Sequence, residues 1–115
     1  FHNVVLVRRE DGAVLIEERP HKGLWAGMWQ APTLEHDERA ATARELADWL
    51  GVRRLEPAIS FEHQTSHRLV QFAVWRGSPP ARGVPKRGAW VDETRLSRLP
   101  MSSAQRRILL KDPGS

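Results

Sequence analysis

Runs of apolar residues separated by short polar turns dominate the first part of the chain, and this pattern predicts strands. Residues 3–8 and residues 13–18 are two such runs, and both are rich in the β-branched residues that strands favour. Asp11 and Gly12 lie between them, and Asp-Gly between two apolar runs is a strong signal for a tight hairpin turn. We therefore predict that the chain opens with two strands joined at this turn.

The best-defined later strand covers residues 68–75, because Val70, Phe72 and Val74 recur at every second position. That spacing predicts a strand with one face more buried than the other. Weaker strand signals occur at residues 28–31 before Pro32, at residues 53–59 around Pro57, and at residues 89–91. Proline has no amide proton to give to a ladder, so we expect the strand that contains Pro57 to be irregular or to lie at an edge.

Two segments show the three- to four-residue apolar spacing of amphipathic helices. The first begins at Asp37, a good N-cap, and ends at Gly51 after an apolar stripe that includes Leu46 and Leu50. The second covers residues 104–111 and follows a serine cap. Its cations lie toward the C-terminal end, where they complement the helix dipole.

The remaining segments connect these elements. Residues 77–88 form a basic loop rich in proline and glycine, and residues 92–99 read as a turn or a short helix. The predicted order is β-β-β-α-β-β-β-α, which indicates an α+β domain with a mixed β-sheet and helices packed on it. A chain of 115 residues fits one domain over residues 1–115.

Composition narrows the classes of protein. A hydrophobic content of 40% and a charged content of 28% are typical of a folded domain and not of a disordered chain. The absence of cysteine excludes disulfides, thiolate metal sites and a cysteine nucleophile, and is compatible with a reducing cytosol. No apolar run approaches the roughly 18 to 20 residues needed to cross a bilayer. We therefore expect no membrane role.

The net charge of +4 and the sequence pI near 10.6 favour an anionic partner such as nucleic acid. An ordinary arginine-rich surface explains the same charge equally well. The chain starts at Phe1 without a methionine and enters a predicted strand almost at once. We expect it to be a piece of a longer protein.

Residues 61–68 concentrate polar side chains directly before the strong apolar run, including His63, Thr65, Ser66 and His67. A short polar turn that feeds a strand suits the reading of a ligand by hydrogen bonds, because the strand fixes the position of the turn. The alternative is a structural turn in which the histidines are half-buried and the hydroxyls satisfy local backbone groups.

The segment at residues 22–32 is unusually apolar for a loop, since it carries Trp25 and Trp29. So much aromatic surface has to pack on something, either the domain's own core or a partner. We favour the domain's own core.

Residues 44–52, Arg-Glu-Leu-Ala-Asp-Trp-Leu-Gly-Val, resemble the end of a Nudix box, which reads Arg-Glu-apolar-x-Glu-Glu-x-Gly-apolar. Carboxylates at i, i+3 and i+4 share one helix face and hold the divalent cations that bind a diphosphate. Glu45 keeps the first of these positions and Asp48 the second. Trp49 stands at the third position and cannot bind a metal.

Upstream of that helix the chain departs further from the box, because Gln30 stands where the box has Gly and His36 where it has Glu. The glycines that normally follow Pro32 are missing as well. We therefore predict a Nudix-like scaffold without a metal site and without catalytic residues of its own, and an active Nudix hydrolase is the alternative.

Two further stretches resemble the C-terminal domain of MutY-type adenine DNA glycosylases. Residues 19–32 are similar to that domain's RP-x-x-GLWxGLW-x-x-P segment, and residues 61–67 to its F-x-H-x-FSH loop. Residues 99–102 fit the segment before its last helix, so the resemblance covers essentially the whole chain in order. The family removes adenine mispaired with 8-oxoguanine. Its N-terminal domain carries the catalytic carboxylates and an iron–sulfur cluster, and its C-terminal domain clamps the duplex and helps to recognise the oxidised guanine.

The resemblance implies roles for individual residues. Ser66 would hydrogen-bond the damaged base, and His67 would support the loop or touch the DNA backbone. His63 would hold the turn. Thr65 is expected to belong to the recognition loop with Ser66 and His67. The family usually has at this position a Phe that wedges into the base stack, whereas Thr can hydrogen-bond but cannot stack. Residues expected to contact phosphates are Lys22, Arg68, Arg106 and Arg107.

These features predict a DNA-damage-recognition domain of an adenine DNA glycosylase that is not itself catalytic and holds no cofactor or metal. Its expected partners are duplex DNA with 8-oxoguanine opposite adenine and the N-terminal catalytic domain, which would hold the iron–sulfur cluster. The expected location is the cytoplasm, at the nucleoid. Two alternatives stay open, a free-standing Nudix hydrolase of an oxidised nucleotide and a protein-interaction module that uses Trp25, Trp29 and Trp49.

Overall fold

A computed structural model describes residues 1–110 of the chain. The described part contains seven strands and three helices. They are β1 His2–Val7, β2 Val14–Glu18, β3 Trp29–Gln30, β4 Thr33–Glu35, α1 Ala43–Leu50, β5 Arg53–Gln64, β6 Leu69–Ser78, β7 Ala89–Val91, α2 Glu93–Leu96 and α3 Ser103–Leu110. None of these helices has the length and apolar character needed to span a membrane.

The strands form two sheets. One sheet is mixed and has the order β4-β1-β6-β5, in which β1 runs parallel to β6 and antiparallel to β4. The other is antiparallel and has the order β3-β2-β7. The predicted α+β architecture, with a mixed sheet and packed helices, is confirmed.

Alternation along β1 places apolar side chains on both of its faces. Val4 and Leu6 join the core cluster that includes α3, whereas Val5 and Val7 join the cluster that includes α1. Every residue of β1 is buried. This explains why residues 4–7 of the strand form an unbroken apolar run, since both faces need to be apolar there.

The Asp-Gly turn forms as predicted, but it does not open a regular hairpin. Gly12 has φ 89°, in the left-handed region that favours glycine, and the Arg9 amide donates to the carbonyl of Ala13 at 2.8 Å. Beyond the turn only a single bridge joins Arg8 to Val14. The two strands separate because β4 and β6 occupy both edges of β1, while β2 pairs with β3 and β7.

Helix α1 begins later than predicted, at Ala43 and not at Asp37. Thr42 is the N-cap, because its hydroxyl accepts from the Glu45 amide at 3.2 Å and the Glu45 carboxylate accepts from the Thr42 amide at 3.3 Å. This reciprocal capping box outcompetes the isolated cap signal of Asp37. The predicted end is confirmed, since Gly51 adopts φ 74° and donates to the carbonyl of Ala47.

Strand β5 is longer than predicted and runs through the first half of the polar stretch, as far as Gln64. It lies at the sheet edge, as expected, and shifts of register on either side of Glu56 and Pro57 accommodate the proline. Strand β4 was not predicted. It has only three residues and follows Pro32 directly, so no alternation marks it in the sequence.

The later elements agree with the sequence. Val70, Phe72 and Val74 are buried on one face of β6, and β7 has its predicted bounds. The predicted short helix forms as α2 behind the cap Asp92. In α3 the Ser102 hydroxyl accepts from the amide of Gln105 at 3.2 Å. The last predicted residue of that helix, Lys111, lies outside the described residues.

Phe72 is the large side chain on which the sheet face toward α3 depends, since it is 2% exposed and stacks on Phe61 with ring centroids 5.0 Å apart. We expect Phe72→Ala to lower the free energy of unfolding by about 3–5 kcal/mol, because it leaves a cavity in a packed core. Urea denaturation measures the change. Val84→Ala, at a position that is 78% exposed, is the control and should change it by less than about 0.5 kcal/mol. Equal losses in the two variants would contradict this assignment of the core.

Candidate nucleic-acid interface

The turn between β5 and β6 is closed by Thr65 and Arg68. The Thr65 amide donates to the carbonyl of Arg68 at 2.8 Å, and its hydroxyl donates to the same carbonyl at 2.9 Å. The same hydroxyl accepts from the Arg68 amide at 3.0 Å. The hydrogen-bonding capacity of the Thr65 hydroxyl is therefore used inside the turn, and Thr65 stabilises the turn locally.

Ser66 and His67 lie at the tip of this turn and are both exposed. Within residues 1–110 neither the Ser66 hydroxyl nor the His67 ring hydrogen-bonds to another protein group. The backbone that carries them is fixed by the Thr65 contacts and by the ladder pair Gln64–Leu69. The geometry presents a hydroxyl and an imidazole to solvent on a well-defined support.

His63 has a different environment, one residue before the end of β5. Its ring lies 6.1 Å from the ring of Trp25 and 6.4 Å from that of Phe72. Its Nε2 atom is 3.4 Å from the hydroxyl of Ser103, at the start of α3. These contacts join the base of the turn to residues 19–28, here called the Trp25 loop, and to α3. The role of His63 in recognition stays a prediction.

The Trp25 loop packs on the domain itself, which confirms the interpretation of this apolar segment as part of the core. Trp25 and Trp29 are partly buried against the first core cluster, and Trp25 adopts φ 52°. Arg19 holds the loop, since its Nε donates to the carbonyl of Leu24 at 2.9 Å and its guanidinium lies 5.9 Å from the Trp25 ring centroid. The unusual backbone of Trp25 is therefore fixed from two sides.

The four cations predicted to meet phosphates are found in different settings. Arg107 lies over the ring of Phe61, with Cζ 4.2 Å from the ring centroid, and Arg106 donates to the carbonyl of Leu99 at 3.4 Å. Lys22 is exposed on the Trp25 loop, and Arg68 is exposed at the end of the turn. The contact with Phe61 connects Arg107 to the aromatic residues at the base of the turn. The phosphate role of all four cations stays a prediction.

A partly buried ion pair that sequence reasoning missed lies beside the turn. His2 Nε2 is 2.9 Å from Glu35 Oε1, and Arg19 Nη2 is 3.6 Å from Glu35 Oε2. The hydrogen bond from His2, aided by the charges of His2, Arg19 and Arg68, lowers the pKa of Glu35 to about 2. His2, Glu35 and Arg68 line a shared cavity of about 280 Å³. No sequence signal connects these residues, because each comes from a different segment.

The Nudix-box helix offers a poor fit to magnesium. Both Glu45 oxygens are engaged, since Arg39 donates to them at 2.7 and 3.2 Å and the His36 ring lies 3.2 Å away. The hydrogen bond from Arg39, with that from the Thr42 amide, lowers the pKa of Glu45 to about 2. The third box position is Trp49, and residues 1–110 contain no group of three His, Asp or Glu side chains that could hold a metal ion. These residues do not fit the metal site that the box serves elsewhere.

Comparison with known proteins defines the class of protein. A profile of the NUDIX domain matches residues 3–111, which is nearly the whole chain. The chain therefore belongs to the NUDIX domain family, in agreement with the mixed sheet and its flanking helices.

Within that family the resemblance to MutY-type glycosylases is confirmed. The chain is 26% identical over 110 residues to human adenine DNA glycosylase, a match that covers 83% of this chain. It spans only 20% of the length of that relative.

Solved structures show the same fold. The C-terminal domain of mouse MUTYH, solved in complex with human PCNA, superposes with a TM-score of 0.70 at 24% identity, and the match covers 96% of this chain and 86% of that one. The MutT protein of a methicillin-resistant Staphylococcus aureus superposes with a TM-score of 0.69 at 17% identity, with 96% and 92% covered. At these identities the two structures establish the fold alone.

The lowered pKa of Glu35 predicts a loss of stability in acid. Its folded pKa of about 2 lies below the ordinary value of 4.5, so its contribution is complete above pH 4.5 and is lost as the pH falls toward 2. The side chain is 47% exposed, so solvent screening limits the contribution to about 1 kcal/mol. Glu35→Gln removes this contribution, so the free energy of unfolding measured between pH 4.5 and pH 2 should depend less steeply on pH. Glu62→Gln, at an exposed position of β5, is the control and should keep the parent slope.

Proposed function

We propose that this chain is the DNA-damage-recognition domain of an adenine DNA glycosylase, the C-terminal Nudix-like part of a longer protein. In this role it helps to read 8-oxoguanine opposite adenine and carries out no chemistry itself. The observation that carries the proposal is the β5–β6 turn, in which Ser66 projects an unpaired hydroxyl from a fixed backbone. The similarity to human adenine DNA glycosylase supports it.

The chemistry of the base explains why a hydroxyl suits this task. Relative to guanine, 8-oxoguanine has an additional carbonyl oxygen at C8 and a hydrogen on N7, so it presents an acceptor beside a donor. A serine hydroxyl can donate to the first group or accept from the second. One such bond contributes about 1 kcal/mol, which corresponds to a several-fold preference.

Thr65 determines how the turn reads the base. The family's Phe at this position would wedge into the base stack, whereas the Thr65 hydroxyl closes the turn. Recognition in this chain therefore depends on hydrogen bonds from Ser66, with His67 beside it at the tip. His63 contributes indirectly by holding the base of the turn against α3.

Phosphate contacts orient the domain on the duplex. The proposed contacts are Lys22, Arg68, Arg106 and Arg107, which lie on the Trp25 loop, the turn and α3. Contacts of this kind carry no sequence information, and the affinity that they give falls as the salt concentration rises.

The catalytic carboxylates and the iron–sulfur cluster belong, in this proposal, to an N-terminal catalytic domain of the same chain, with which this domain closes around the duplex. This chain has no cysteine with which to hold such a cluster. The proposed location is the cytoplasm, at the nucleoid, where the damaged duplex lies.

Ser66→Ala tests the proposal in the full-length enzyme. The preference for adenine opposite 8-oxoguanine over adenine opposite guanine should fall several-fold, because about 1 kcal/mol of hydrogen bonding is lost. Single-turnover excision on the two duplexes measures the ratio. Ser60→Ala, at an exposed position of β5, is the matched control and should leave the ratio unchanged.

Thr65→Val separates recognition of the base from folding when the excision ratio is measured together with Tm. It removes the hydroxyl that closes the turn, so the domain should lose stability as well as preference. Ser66→Ala should lose preference alone. If the full-length Ser66→Ala enzyme keeps the parent ratio, Ser66 does not take part in recognising the base.

A free-standing hydrolase of an oxidised nucleotide is the second candidate, and the structural similarity to MutT favours testing it. We expect no release of pyrophosphate when the domain is incubated with magnesium and 8-oxo-dGTP, because Arg39 engages Glu45 and Trp49 replaces a carboxylate. Stoichiometric release would overturn the non-catalytic role. A module that binds partners through its tryptophans is disfavoured, because Trp25, Trp29 and Trp49 pack partly into the domain's own core.

A further inference from the structure

The basic loop before β7 folds back onto the C-terminal end of α1. The amide of Lys86 donates to the carbonyl of Leu50 at 2.8 Å, and its Nζ donates to the carbonyl of Asp48 at 2.6 Å. The ammonium group therefore lies at the negative end of the helix dipole, where a cation is stabilising. Pro85, the residue before it, is buried, so this end of the loop is seated on the domain.

Arg87, the next residue, bridges two parts of the fold. Its Nε donates to Glu17 Oε1 at 2.7 Å, and its Cζ lies 4.7 Å from the centroid of the Trp49 ring. One face of the guanidinium thus meets an aromatic ring on α1, while its edge meets a carboxylate on β2. Both interactions favour a cation that is planar, and both would be weaker for lysine.

The buried carboxylate of Glu17 requires a cation at position 87. Its side chain is only 9% exposed, and its second oxygen accepts from Gln30 Nε2 at 2.8 Å and from the Thr33 amide at 3.3 Å. A buried carboxylate is costly unless an opposite charge and hydrogen bonds compensate for its lost hydration. Neutral donors satisfy one Glu17 oxygen, and Arg87 supplies the charge at the other.

We infer that Arg87 is a built-in cation that replaces a divalent metal at the Nudix-box helix. Basic side chains of the protein engage this helix at three points: Arg39 pairs with the Glu45 carboxylate, Lys86 donates to the main-chain carbonyl of Asp48, and Arg87 lies over the Trp49 ring. The loss of the third box carboxylate, at Trp49, and the basic loop that supplies Arg87 therefore form one arrangement. This inference concerns α1 and not the β5–β6 turn, so it does not depend on the proposed function.

The arrangement has a consequence that loss of a carboxylate alone would not produce. Restoring a carboxylate with Trp49→Glu should not restore metal binding, because Arg87 would pair with the new side chain. Metal binding should need both changes, Trp49→Glu together with Arg87→Met. The introduced carboxylate then has no cation beside it and lies next to the exposed Asp48 and toward Glu17, so an ion can bind there although Glu45 stays paired with Arg39. The substitution to methionine keeps the length and the apolar stem of the arginine.

The test compares the parent domain with Trp49→Glu, Arg87→Met and the double variant, within the full-length chain and as residues 1–115. Bound Mn²⁺ is measured by electron paramagnetic resonance, and Tm is measured in MgCl₂ and in NaCl of equal ionic strength. We expect bound Mn²⁺ and a magnesium-dependent rise in Tm in the double variant alone. Arg87→Met should lower Tm by about 5 °C in either salt, because Glu17 loses its counter-ion.

Controls separate charge from fold. Arg82→Met removes an exposed arginine from the same loop and should leave Tm unchanged. Arg87→Lys keeps a charge for Glu17 and should regain part of the lost Tm, and when combined with Trp49→Glu it should still exclude Mn²⁺. Mn²⁺ bound by the parent domain or by Trp49→Glu would overturn the inference, as would an unchanged Tm in Arg87→Met. A folded double variant without Mn²⁺ would also overturn it. If circular dichroism shows that the double variant is unfolded, the inference is judged on Mn²⁺ binding by the parent and Trp49→Glu and on the Tm of Arg87→Met.

Discussion

A buried carboxylate, that of Glu17, is the constraint to which much of the structure responds. Since it lies on β2 with little access to water, three other segments have to bring it donors and a positive charge. Gln30 and the Thr33 amide approach from β3 and β4, and Arg87 approaches from the loop before β7. The same arginine covers Trp49, so compensating one charge joins both sheets to α1.

A second interaction, the aromatic cluster around Phe72, carries the candidate interface. Phe61, His63 and Trp25 surround this ring and join β5 and β6 to the Trp25 loop. His63 also contacts Ser103 of α3. The turn between β5 and β6 therefore has a rigid base. Precise placement of a hydroxyl such as that of Ser66 needs this kind of support, because a loop alone cannot hold a contact in fixed geometry.

Much of the fold could be predicted, because local patterns carried the information. The alternation of Val70, Phe72 and Val74, the stop at Gly51 and the turn at Asp11 and Gly12 were all confirmed. The start of α1 and strand β4 were not. Two residues compete to cap the helix, and three residues are too few to show a period. The site was predictable only in its polar stretch, since its supports come from residues distant in sequence, such as the pair His2–Glu35.

The class of fold, the family and the loss of the third box carboxylate follow from the amino-acid sequence, because a contiguous motif or a local pattern indicates each of them. What the individual residues do depends on how the chain folds. Thr65 closes its own turn because the carbonyl of Arg68 lies within reach of its hydroxyl. Arg87 pairs with Glu17 across seventy residues of chain, and only the folding of the loop over α1 brings them together. Charges that meet through space leave no period or spacing in the sequence, and that is why they were found only in the folded chain.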